Sequence, residues 1–113
     1  PKILMKSEGQ KQSRKHEDRL AKKLGGKRTA ASGAFWNRKG DVRTTDWLVE
    51  HKWTGKASFS IKASILEKIV NEAVLDSRMP VLGISLNGEN YCIVLEDDLI
   101  EMRDTIRELK ETL

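Results

Sequence analysis

The nine residues from Asp46 to Thr54, DWLVEHKWT, constrain this chain more than any other stretch. Aromatic and branched residues alternate at period two, so Leu48, Glu50 and Lys52 leave one side of a strand. Trp47, Val49, His51 and Trp53 leave the other. Apolar side chains on both sides mark a strand covered on both faces, where an unpaired charge is costly to bury. Glu50 and Lys52 are therefore either partners of ordinary sheet packing or parts of a site.

The neighbouring segments supply the layers such a strand needs. SRKHEDRLAKKLGG, from Ser13, reads as a short basic amphipathic helix with Glu17, Leu20 and Leu24 on one face, stopped by Gly25-Gly26. Residues 1–12 are polar and aperiodic and are expected to form a flexible basic tail. Ala34–Trp36 and Ser58–Lys62 read as two further short strands on either side of the long one. Ser64 with Glu67 fits a capping box for a helix with Leu66, Ile69, Val70, Ala73 and Val74 on its apolar face, ending at Pro80. VLGISLN (81–87) and NYCIVLE (90–96) form a hairpin joined at Gly88-Glu89, and Cys92 reads as an inert buried thiol. A terminal helix capped by Asp98 and Glu101 places Leu99, Met102, Ile106, Leu109 and Leu113 on one seam. The order is α-β-β-β-α-β-β-α, which predicts an α/β fold with a mixed sheet of about five strands flanked by helices, in a single domain over 1–113.

Composition narrows the class. With 113 residues and 38% hydrophobic content there is apolar material for one core. No run approaches the ~20 apolar residues of a membrane span, and the opening lacks a signal-peptide core, so an intracellular protein is expected. One cysteine excludes a disulfide framework, and His16 and His51 do not form a paired metal motif. The net charge of +4 is an average over two opposite halves. Residues 1–40 carry 12 Lys and Arg against 3 Asp and Glu, whereas residues 41–113 carry 9 against 14. A basic segment of this kind suits a polyanion, with a solvated basic arm as the plainer alternative.

Asp41 lies just ahead of the long strand and returns beside Glu50 if residues 34–44 pair with 46–54. Two carboxylates brought together can hold a divalent cation such as Mg²⁺, which binds few protein carboxylates and keeps several waters. An ammonium beside them, Lys52, can help deprotonate a metal-bound water and stabilise charge on a phosphate. Each residue also has a structural reading: Asp41 as a turn residue and Glu50–Lys52 as a sheet-face pair.

Asp41…Glu50-x-Lys52 behind a basic helix resembles the PD-(D/E)xK nuclease superfamily, and more narrowly the small Holliday junction resolvases of archaeal and phage type. The resemblance covers roughly residues 13–96, with Gly40 where the family has proline. It implies a restriction-endonuclease-like fold and places Glu17 at the helix glutamate and Ser32, in Ser32-Gly33, at a functional loop serine. Asp41, Glu50 and Lys52 match the catalytic triplet. The metal, Mg²⁺ or Mn²⁺, would be held by Asp41, Glu50, Glu17 and the backbone carbonyl of His51. Arg14, Lys15, Arg19, Lys22, Lys23, Lys27, Arg28, Arg38 and Lys39 are the expected phosphate contacts, which give affinity without sequence readout. Trp36 and Trp53 are placed to pack in the core or to stack on unpaired bases.

The expected activity is a metal-dependent endodeoxyribonuclease nicking four-way or other branched DNA. Two symmetric cuts imply a C2 homodimer. A related nuclease with another DNA target, such as a nickase, restriction or repair enzyme, and a non-catalytic structure-selective DNA-binding module remain as alternatives.

Overall fold

A computed structural model describes residues 8–29 and 41–113. Ser32, Gly33, Trp36, Arg38, Lys39, the strand expected over Ala34–Trp36 and the first seven residues of the expected tail lie outside that range.

The chain is α/β, with the elements α1 (Glu8–Leu24), β1 (Lys27–Thr29), β2 (Asp41–Arg43), β3 (Trp47–Thr54), α2 (Ala63–Leu75), β4 (Met79–Leu86), β5 (Glu89–Val94) and α3 (Glu96–Glu111). The five strands form one sheet in the order β1-β2-β3-β4-β5; β3 and β4 run parallel and every other pair is antiparallel. Only the β3–β4 step needs a long crossover, and α2 supplies it, as parallel pairing requires. The expected order α-β-β-β-α-β-β-α is observed, with different segments filling its first three strand places and the long strand third rather than second.

Two apolar layers hold the sheet. On one face Val42, Val49 and Val81 pack beneath Leu20 and Ala21 of α1; on the other Leu82 and Ile84 pack against Ile69 of α2, with Phe59, Ile65 and Leu66 around them. Strand β3 is therefore covered from both sides, as its sequence predicts.

Several boundaries differ from expectation. Helix α1 begins at Glu8, so residues 8–12 are helical; a Gln12 to Glu8 side-chain hydrogen bond of 2.9 Å bridges that turn. Residues 58–62 form no strand, because β2 and β4 already occupy both edges of β3. No apolar pattern in KRT marks β1; the strand is held by β2 and by a 2.7 Å ion pair from Arg28 to Asp18 of α1. Lys62 is the N-cap of α2 and Leu95 that of α3, neither with a side-chain cap hydrogen bond, so Ser64, Asp98 and Glu101 do not cap as expected. Helix α2 ends at Leu75, short of Pro80. Ser77 turns the chain with φ +55°, the Arg78 N–H donates to the Ala73 carbonyl at 2.8 Å, and Pro80 is the second residue of β4. The β4–β5 turn is Asn87-Gly88, both at positive φ, as a two-residue hairpin favours. Among the described residues no helix is long and apolar enough to cross a membrane.

Candidate functional site

A tight turn sets the register that builds the site. The Thr44 N–H donates to the Trp47 carbonyl at 2.9 Å, and the Thr44 hydroxyl accepts from the Trp47 N–H at 2.9 Å and the Asp46 N–H at 3.2 Å. Asp46 is thus a turn residue, and the strand itself begins at Trp47. With Thr45 and Asp46 as the loop, Arg43 falls opposite Leu48, Val42 opposite Val49 and Asp41 opposite Glu50. Directly opposed residues share a face, and residues two apart on one strand share it too. Asp41, Arg43, Glu50 and Lys52 therefore stand together on the face that α2 covers.

Each acid is joined to the base two residues further along its own strand. Lys52 Nζ lies 3.1 Å from Glu50 Oε1, and Arg43 Nη1 lies 2.6 Å from Asp41 Oδ1. Arg43 also reaches Asp76 at the end of α2, with Nε to Oδ2 at 2.9 Å, and Arg78 donates to the same Asp76 oxygen at 2.5 Å. The hydrogen bond from Arg43, with help from Arg78, holds the Asp76 carboxyl below its ordinary range. These links anchor β2, a strand of three residues, to the α2 terminus.

Glu17 is the third buried acid. Its relative exposure is 6%, beside 8% for Asp41 and 7% for Glu50. Few carboxylates are buried so fully, and three in so small a domain is unusual. Burial raises the Glu17 pKa to about 7; Arg28 opposes that, while the charges of Asp41, Asp18 and Glu50 push it further up. The three acids therefore feel one another, although Glu17 arrives with α1, which packs on the face opposite Asp41 and Glu50. Among the described residues no group of three or more His, Cys, Asp and Glu side chains is disposed to hold a metal ion. The donors that the strand register brings face to face are two, Asp41 and Glu50. Hard carboxylate oxygens in that number fit Mg²⁺ or Mn²⁺, with waters filling the remaining positions.

His51 points away from this cluster. It is 4% exposed, its ring stacks on His16 of α1 with centroids 4.9 Å apart, and its Nε2 lies 3.2 Å from Ser85 Oγ, which in turn bonds to Asn90. Its Nδ1 is buried without a hydrogen-bond partner among the described residues. Burial, then the nearby His16 and Arg19, depress its pKa to about 4, so the ring is neutral. The ring lies against Gly83, where a Cβ would come 3.0 Å from His51 Cδ2. The sequence offers no sign of this stack, since His16 and His51 belong to elements that meet only when α1 docks.

Of the expected phosphate contacts, Arg14, Lys15, Lys22, Lys23 and Lys27 are exposed. Arg28 is engaged with Asp18, and Arg19 donates to His16 Nδ1 at 3.4 Å. Cys92 is exposed rather than buried, because β5 is an edge strand and α1 covers the opposite end of the sheet.

Comparison with known proteins finds no family model, no curated protein and no solved structure that matches this chain.

Proposed function

We propose that this chain is a Mg²⁺- or Mn²⁺-dependent endodeoxyribonuclease that nicks branched DNA, acting as a Holliday junction resolvase. The observation that carries the reading is Asp41 opposite Glu50 with the Lys52 ammonium 3.1 Å from Glu50, all on one face of the sheet. A protein rarely buries such charges without a use for them, and acids beside an ammonium suit phosphodiester hydrolysis.

Asp41 and Glu50 would hold the cation, with the His51 backbone carbonyl as a further oxygen donor, while Glu17, on the α1 side of the sheet, would act on the site through its charge. A bound divalent cation supplies a water of lowered pKa and a counter-charge for the scissile phosphate. Lys52 holds Glu50 in place, and its ammonium stands ready to stabilise negative charge as the phosphate is attacked. Glu17, protonated below about pH 7, limits repulsion among the acids before the cation binds. The basic face of α1, with Lys27, Arg38 and Lys39, would grip the DNA backbone, and Ser32 would join the site from its loop.

A second reading has its own support. Arg43 already occupies Asp41 Oδ1 at 2.6 Å, an arrangement that suits a DNA-binding module using the fold without cutting. One assay separates these readings. A labelled four-way junction and a linear duplex of the same sequence are incubated with the protein in Mg²⁺ or Mn²⁺. The resolvase reading predicts paired nicks in the junction and little on the duplex. Equal rates on both point to a nuclease with another target, and salt-sensitive binding with no scission supports the non-catalytic module.

A further inference from the structure

Helix α3 leaves the sheet after β5, and no described element packs along it. None of its residues is buried, yet Leu95, Leu99, Met102, Ile106, Leu109 and Leu113 recur at steps of four and three along one side. Leu99, Ile106 and Leu109 are 57%, 53% and 61% exposed. The molecule is correspondingly long, 63 Å against 33 and 28 Å. A stripe of this period is the seam of a two-helix coiled coil.

The flanking charges choose the occupant. In heptad terms Leu99 and Ile106 are a positions, Leu95, Met102 and Leu109 are d positions, Asp98 is a g position and Arg103 the following e position. In a parallel pair of identical helices each g residue meets the next e residue of its partner, so Asp98 meets Arg103 twice by symmetry. Among the described residues Arg103 pairs with its exposed neighbour Asp104, at 3.1 Å. The antiparallel arrangement would set Arg103 against Arg103. Twelve aliphatic side chains withdrawn from water amount to roughly 1,000 Å², about the lower bound for a specific interface.

We propose that α3 is a self-association helix, through which a second copy of this chain pairs in parallel along the Leu95–Leu113 seam with reciprocal Asp98–Arg103 ion pairs. The pairing sets two sheets side by side at one end of the helix pair. It deepens the resolvase reading, which needs two sites, but is measured without DNA and so stands or falls separately from cleavage.

The test is the mass of the full chain by sedimentation equilibrium at tens of micromolar, without metal or DNA. The parent should weigh twice 12.8 kDa. Leu99→Asp with Ile106→Asp should give a monomer with unchanged circular dichroism, since no described element packs on that seam. Asp98→Arg and Arg103→Asp should each weaken the dimer on the order of tenfold. The two combined in one chain should restore it. A monomeric parent, as when another segment or an unrelated protein covers the seam, overturns the proposal. Failure of the combined variant to recover overturns the parallel pairing.

Discussion

On the α2 side of β3 stand Glu50 and Lys52; on the α1 side, between them in sequence, stands His51. The first face keeps its charges and pairs them, with a second acid brought opposite from β2. The second face removes charge: the imidazole is neutral, stacked on another imidazole and bonded to a serine hydroxyl. A buried polar group that is only packing is best neutral and hydrogen-bonded, because a buried ion pair gains little over apolar packing. Under the proposed nuclease reading, charges retained where neutral groups would serve place the candidate site on the α2 face.

The comparison breaks most sharply at the ion pair. Lys52→Met leaves the Glu50 carboxylate buried without its cation and should cost about 3 kcal/mol of unfolding free energy. Glu50→Gln with Lys52→Met should recover most of that loss in urea unfolding. If the single variant is as stable as the parent, the pair is solvated and the α2 face is no different from an ordinary surface.

On the other face the limit is space. Gly83→Ala places a methyl 3.0 Å from the His51 ring, and crowding of this kind costs roughly 1–3 kcal/mol. The ring should shift, visible as a change in the His16 and His51 proton resonances. A Gly83→Ala protein with parental stability would mean that the stack yields easily and does not fix α1.

Within the α1 layer, acidity should move two buried groups in opposite directions. Glu17 has its pKa raised to about 7 on folding, so the folded state takes up a proton more readily and the stability this group contributes falls as pH rises from about 4.5 to 7. His51 has its pKa lowered to about 4, so its contribution falls as pH drops from about 6.5 to 4. The two slopes nearly cancel in the parent. Glu17→Gln should therefore leave a protein that loses stability on acidification, and His51→Phe one that loses it on neutralisation. Each effect should be on the order of 1–2 kcal/mol across the window once solvent screening is discounted. Urea midpoints between pH 4 and 7 measure both; parallel profiles in all three proteins would contradict the assignment.

Much of this contrast was legible in the sequence because β3 states it directly. Period-two alternation separates Glu50 and Lys52 from His51, and a short turn between paired strands returns Asp41 to Glu50. The β4–β5 hairpin and the α3 seam are likewise local patterns. What could not be read depends on neighbours far along the chain. Ser58–Lys62 alternates well but finds both sides of β3 already taken by β2 and β4, whereas Lys27–Thr29 has no apolar pattern and becomes a strand because β2 offers an edge. Cys92 lies in an apolar run yet is exposed, since α1 lies over β1 to β3 and leaves β5 bare. Glu17 stands on the apolar face of its helix in the sequence; its burial, close enough to feel the charges of Asp41 and Glu50, appears only once α1 is docked.

The most direct measurement is single-turnover cleavage of a four-way junction in Mn²⁺ by the parent, Glu50→Gln, and the Glu50→Gln, Lys52→Met double variant, with junction binding recorded alongside. The predicted result is that both variants bind the junction as the parent does while scission falls at least 10²-fold. Scission at the parental rate by either variant would contradict a catalytic site on the α2 face of β3.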